Sequence, residues 1–186
     1  MILPIYAYGQ PVLKKKAVDL DLKDAKLPAL IANMWETMYH AKGVGLAAPQ
    51  VGKAIRLFIV DTVQLEDEEK AGDGIKQVFI NAQKVEEKGK WWDYEEGCLS
   101  IPNIRADVER KDTITLEYYD QHLAKQKQTF RGINARVIQH EYDHIEGVLF
   151  TDHIKPIKRR LINRKLENIR RGRVDADYTL KFVRTK

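Results

Sequence analysis

Residues 139–147 read QHEYDHIEG. His140 and His144 stand four positions apart, with Glu141 directly after the first, in a chain of 186 residues that holds only five histidines. The stretch belongs to a longer run, ARVIQHEYDHIE, whose start is read at Asn134 and whose end is read at Gly147, so the pattern predicts a helix. On a helix, residues four apart share one face, one turn up. Two imidazoles placed that way can each aim a nitrogen at one point. Glu141, one step round the helix, then lies beside that point without ligating, in the HExxH arrangement of metal-dependent hydrolases. There it can take a proton from a metal-bound water. A pair of surface histidines on an acidic helix is the competing reading, and a third ligand decides between the two.

The chain offers three candidates for that ligand. The continuation HExxHxxGxxH is met at Gly147, but its last position falls on Phe150, and His153 comes too late. Glu167, drawn from a following helix, stands in RKLENIRR, where an ion pair on a helix surface is the natural role for a lone carboxylate. Cys98 lies in EGCLS at 96–100 and is the remaining candidate. A thiolate with two imidazoles leaves one coordination position open, as catalytic sites do. Cys98 is also the only cysteine. It has no internal disulfide partner, which points to a reducing compartment and to a packed thiol, a nucleophile or a ligand.

Around this helix the chain reads as α+β: a single domain over residues 1–186, with antiparallel or mixed sheet around a central helix carrying HExxH. DAKLPALIANMWETMYHAKG at 24–43 predicts a helix. Leu27, Leu30, Ile31, Met34, Trp35 and Met38 make one apolar stripe, Asp24 is placed to cap it, and Gly43 stands where a left-handed residue usually closes a helix. Strand-like runs follow at 55–61, 76–82, 104–110 and 113–120, with QKQTFRG near 130 a weaker one. LEDEEKAGDG at 65–74 reads as an acidic loop. Trp91 and Trp92 read as buried or partly buried sheet residues, with the border of a substrate groove as the alternative. A last, basic helix is expected over about 156–171, followed by a tail at 172–186 in which VDADYTLKFV is read as a returning strand.

Hydrophobic residues make up 44% and charged residues 32%, ordinary values for a globular chain able to bury a core without disulfides. No apolar run approaches membrane-spanning length, and the first residues lack the basic start and apolar run of a signal peptide. The segment KPIKRRLINRKLENIRRGR at 155–173 carries nine basic residues and one acid, a surplus larger than the whole chain's net charge of +5, so the remainder is net acidic. Such a stripe suits sequence-independent phosphate contact, and a solvated helix face is the plainer alternative.

Three stretches, GVGLAAPQVG at 43–52, EGCLS at 96–100 and QHEYDHIEG at 139–147, occur in this order, and together they resemble the signatures of the peptide deformylase family. The family's patterns are Gly-x-Gly-x-Ala-Ala-x-Gln, Glu-Gly-Cys-Leu-Ser and Gln-His-Glu-x-x-His, and all three are complete here. The resemblance runs from about residue 1 to about residue 170. It implies removal of the N-formyl group from N-formyl-methionyl nascent peptides. It implies that Cys98, His140 and His144 hold one divalent metal ion, natively Fe(II), with zinc, nickel or cobalt taking its place in preparations. Glu141 is implied as general base and then general acid. The Gln50 amide and the Leu99 N–H are implied as donors to the oxygen of the tetrahedral intermediate, and the Gly45 backbone as the partner of an extended substrate. On these expectations Val44, Ile133 and Val137, with Tyr94, wall a pocket for the methionine side chain. Core packing is the competing reading for these apolar residues.

The family implies ribosomal RNA as a contact for the basic segment 155–173. No membrane attachment and no stable protein partner are expected. The bacterial cytoplasm is the expected compartment, with an organelle as the alternative. Two other functions remain open on the sequence: a metallopeptidase ligating with His140, His144 and Glu167, and a metal-stabilised RNA-binding module with a closed metal site.

Overall fold

The computed structural model describes residues 1–65 and 72–183. In chain order the elements are β1 (Ile5–Tyr6), α1 (Leu27–His40), β2 (Gly45–Ala47), β3 (Leu57–Asp61), β4 (Lys76–Cys98), β5 (Ile101–Tyr119), β6 (Lys125–Arg131), α2 (Gly132–Ile145), α3 (Pro156–Arg170) and β7 (Leu180–Lys181), with short 3-10 turns between them. β2 to β6 form one antiparallel sheet in sequence order, and β7 returns to pair parallel with β1. The expected α+β class is therefore what the chain adopts.

β3 explains how the layers meet. Its LFIVD run is buried throughout, as a strand covered on both faces should be. Alternation then divides its side chains. Phe58 and Val60 pack with Ile138, Tyr142 and Ile145 of α2, while Leu57 and Ile59 pack with Met34 and Met38 of α1. Each such side chain taken fully from water contributes about 1.5–3 kcal/mol before the entropy of ordering is counted. A third core joins α3 through Leu166 and Ile169 to Leu13, Ile101, Val108 and Phe150.

α2 is the buried helix: ten of its residues, from Ala135 to Ile145, are out of solvent, and they include Arg136, Gln139, His140, Glu141 and His144. So many polar side chains inside a core require partners, and those partners turn out to build the site.

Several expectations are corrected. The separate strand runs at 76–82, 104–110 and 113–120 belong to two long strands, β4 and β5, whose pairing shifts register at four points. Such bulges bend the hairpin and interrupt the alternation by which strands are recognised. Lys42, at φ 57°, and not Gly43, is the left-handed residue after α1; the Gly43 N–H closes on the Met38 carbonyl at 2.9 Å. Gly43 is needed for space, because a Cβ there would lie 2.8 Å from Cδ1 of Leu99. Asp24 accepts the Lys26 N–H at 2.9 Å, but Lys26 is itself the N-cap position of α1. α2 begins at Gly132, and Asn134 instead bonds the Thr62 hydroxyl and donates to the Asp73 carbonyl at 2.7 Å. Trp91 is 61% exposed beneath Lys111, while Trp92 is half-buried under the Arg136 guanidinium. The acidic loop read at 65–74 lies largely outside the described residues, as do the last three residues of the tail.

Candidate metal centre and active-site cavity

α2 carries His140 and His144 on one face, their ring centroids 5.1 Å apart. β4 ends at Cys98, where the Cys98–Ile101 pairing closes the hairpin over Leu99 and Ser100. This brings Sγ of Cys98 to 3.3 Å from Nε2 of His144. One ligand atom from each of Cys98, His140 and His144 lies within 4.8 Å of the others, and no other cluster of this kind occurs among the described residues. Ligands bonded at about 2.0–2.3 Å around a tetrahedral ion stand roughly 3.5 Å apart, so a sulfur and two nitrogens at this spacing fit one divalent cation with a position to spare. Glu167 is elsewhere, on the surface of α3, paired with Arg170 at 2.9 Å and Arg171 at 2.7 Å.

A second layer of side chains orients the first. Nδ1 of His140 meets Oε2 of Glu96 at 2.9 Å. Glu96 also accepts from Arg110 Nε at 2.7 Å and from Arg136 Nη1 at 2.9 Å. Burial alone would raise the Glu96 pKa, but the bonds from His140 and Arg110 overcome it and hold the carboxyl well below the usual range. Arg110 bridges onward to Asp143 at 2.7 Å, and Asp143 meets Nε2 of His153 at 2.8 Å. A buried carboxylate fixed by two guanidiniums keeps one tautomer and one ring angle on His140.

Glu141 stands beside the cluster, 4% exposed, with Oε2 lacking a protein hydrogen-bond partner. Burial pushes its pKa up to about 7. Its close neighbour is Gly45 in β2, where a Cβ would come within 2.4 Å of Oε1. Gln50, on the buried 3-10 turn after β2, accepts the Ala47 N–H at 2.8 Å and points Nε2 at Sγ of Cys98, 3.5 Å away, and at the Ser100 hydroxyl, 3.4 Å away.

These groups open onto a cavity of about 710 Å³. Gln50, Cys98, Leu99, His140 and Glu141 line it, and so do Val44, Gly45, Tyr94, Ile133 and Val137. The structure thus brings every residue singled out for catalysis or substrate contact to one concavity, whereas Trp91 and Trp92 stand outside it. Sequence reasoning missed Glu96, Arg110, Arg136 and the tail residues 175–178, which also line or brace the cavity. Glu96 sits inside the EGCLS stretch and was within reach. Arg110 carries no local signal, since only folding brings it to Glu96. A buried carboxylate, three side chains spaced to hold one metal and an amide donor are groups from which a site for hydrolysing an acyl–nitrogen bond can be built.

A family model described as "Polypeptide deformylase" matches residues 2–160. A curated relative from Christiangramia forsetii, named peptide deformylase, is 52% identical, with 100% of this chain and 98% of that protein aligned. One from Cytophaga hutchinsonii, of the same name, is 50% identical over 98% of both. Among solved structures, a plant peptide deformylase superposes with a TM-score of 0.82 at 32% identity, over 91% of this chain and 90% of that one. The peptide deformylase of Thermotoga maritima gives a TM-score of 0.74 at 38% identity, over 84% and 99%.

Proposed function

The chain belongs to the polypeptide deformylase family and removes the N-formyl group from newly made polypeptides, and we propose that Cys98, His140 and His144 hold its metal while Glu141 carries its protons. The observation that carries this reading is the meeting of one sulfur and two imidazoles within 4.8 Å, with Cys98 and His140 on the wall of the cavity that Glu141 also lines.

A divalent ion bound there supplies Lewis acidity and brings the pKa of a coordinated water toward about 7. Glu141, buried in the cavity wall with Oε2 free of protein hydrogen bonds, is placed to take a proton from the attacking water and pass it to the leaving amine nitrogen. The formyl C–N bond breaks, and formate and a free N-terminus leave. Gln50 Nε2 and the Leu99 N–H donate to the oxygen on which negative charge develops. One such donor is worth about 3 kcal/mol in the transition state. Gln50 suits this role because its oxygen is held by the Ala47 N–H, so its NH2 group keeps one direction.

The substrate is an N-formyl-methionyl peptide. Val44, Ile133 and Val137, with Tyr94, wall the space for the unbranched methionine side chain. β2 is the edge of its sheet. An extended peptide can add to such an edge through main-chain bonds at Gly45, which tolerates varied residues after the methionine. Fe(II) is the native ion on this reading, with zinc, nickel or cobalt in preparations. A thiolate beside iron makes the enzyme sensitive to oxygen and peroxide. Residues 1–186 act as one catalytic unit, and the basic face of α3 contacts ribosomal RNA. No helix among the described residues is long and apolar enough to cross a membrane, and the two curated relatives named above are bacterial; the bacterial cytoplasm is the proposed compartment.

The test compares Cys98→Ala with Glu167→Ala. Metal content should collapse in the first and persist in the second, which should still release formate from formyl-Met-Ala. The reverse pattern would return the metal to a peptidase-like set.

A further inference from the structure

The tail after α3 reaches the active-site cavity. Residues 175–178 line it, and the Tyr178 hydroxyl donates to the Leu99 carbonyl at 2.8 Å. Leu99 and Ser100 form the two-residue tip of the β4–β5 hairpin, directly after Cys98. Such a tip has few bonds of its own, so its peptide planes depend on what holds them from outside. Here Tyr178 holds the Leu99 carbonyl, the Tyr8 N–H holds the Ser100 carbonyl at 2.8 Å, and Gln50 approaches the Ser100 hydroxyl at 3.4 Å.

Tyr178 is itself held on both sides. Before it, Asn103 Nδ2 donates to the Asp175 carbonyl at 3.0 Å. After it, the Ile5 N–H meets the Thr179 carbonyl at 2.9 Å and the Ala7 N–H meets the Lys181 carbonyl at 3.0 Å. Gln10 Nε2 reaches the Phe182 carbonyl at 2.7 Å. Leu180 and Phe182 pack on the third core. The hydroxyl is therefore delivered to the hairpin tip from a bend pinned just before β7 and not from a loose end.

We propose that Tyr178 is a positioning residue for deformylation: its hydroxyl holds the carbonyl of the Leu99–Ser100 peptide plane, which limits rotation at the Leu99 Cα and so restrains the preceding plane that carries the Leu99 N–H toward the developing oxyanion. The proposal rests on the reading of Leu99 as an oxyanion donor. Tyr178 itself touches no reacting atom. Because an oxyanion donor counts chiefly in the transition state, loss of the hydroxyl should act on kcat and spare KM.

Full-length metal-loaded enzyme is compared as wild type, Tyr178→Phe, Gln10→Ala and Glu141→Gln, with kcat and KM for formyl-Met-Ala, metal content and Tm measured for each. Gln10→Ala loosens the tail at Phe182 while leaving the hydroxyl in place, and so reports tail docking alone. The expected result is that Tyr178→Phe keeps its metal, holds KM within about twofold and loses roughly tenfold in kcat, while Gln10→Ala lowers Tm with kcat unchanged. The proposal is overturned if Tyr178→Phe keeps wild-type kcat, if its loss goes with lost metal or a raised KM, or if Gln10→Ala loses kcat equally. A wild type that releases no formate, or a Glu141→Gln enzyme that works normally, refutes the underlying functional reading instead.

Discussion

Oε2 of Glu96 lies 2.9 Å from Nδ1 of His140, so the ring that faces Cys98 and His144 with one nitrogen is gripped from behind through the other. Glu96→Ala should therefore weaken metal binding by about 10–100-fold, the usual effect of removing the partner behind a ligating histidine. Arg110 and Arg136 lose their shared carboxylate in the same variant, and breaking a buried ion pair costs about 3–5 kcal/mol. Chelator competition on folded protein, run beside thermal unfolding, separates the two effects. Unchanged metal affinity would show that His140 needs no such support.

Gly45 tests the placement of Glu141. A methyl group there would collide with the carboxylate at 2.4 Å and must push one of them aside. Gly45→Ala should keep Cys98, His140 and His144 loaded while lowering kcat by about 100-fold, the scale of misplacing a catalytic group by roughly 1 Å. Metal analysis and formate release on one preparation read both quantities. Normal turnover would mean that Glu141 need not stand where it does.

Asp152 supplies a pH dependence away from the metal. Burial works to raise its pKa, but bonds from Lys14 and the Leu149 N–H, the latter at 2.8 Å, hold it below the ordinary aspartate value of 3.8. A carboxylate whose folded pKa is depressed adds stability that is fully present above its unfolded pKa and fades as pH falls through the folded one. Asp152→Asn should thus lower neutral-pH stability by about 1–2 kcal/mol, and the gap to wild type should narrow below about pH 4. Urea unfolding at several pH values measures it, and a gap constant down to pH 3 would contradict the assignment.

How much of the molecule was legible in its sequence differs by residue. QHEYDHIEG declares a helix face with two nitrogens on it, because four-residue spacing has one meaning on a helix. EGCLS declares a lone cysteine free to act as a ligand. What joins them is not local. Glu96 stands in the motif, yet its grip on His140 depends on Arg110 from the next strand and Arg136 from the helix. β2 is only three residues long and shows no period of its own. The β4–β5 hairpin hides behind its bulges. Lys42 takes the left-handed position expected of Gly43, because close packing against Leu99 claims the glycine. Tyr178 reaches Leu99 across 79 residues of chain, through a strand pairing that no spacing rule anticipates.

The basic face of α3 yields a fourth expectation. Arg160, Arg164 and Lys165 are exposed there. Reversing them to glutamate should weaken ribosome binding and flatten its dependence on salt, by about one unit of log K against log salt for each phosphate no longer neutralised. Formyl-Met-Ala turnover should be unaffected. Charge reversal is a cleaner test than deleting the helix, since the tail beyond it braces Leu99. Salt dependence equal to wild type would leave α3 as a solvated helix face.

Glu141, as the group that moves protons beside a metal held by Cys98, His140 and His144, is the centre on which the proposed chemistry depends. Formate release from formyl-Met-Ala by Glu141→Gln, prepared without oxygen and with metal content determined on the same sample, addresses this directly. The prediction is full metal occupancy with turnover lower by about 100–10,000-fold, the range that a positioned acid–base group supplies. Near-normal turnover at full occupancy would contradict it.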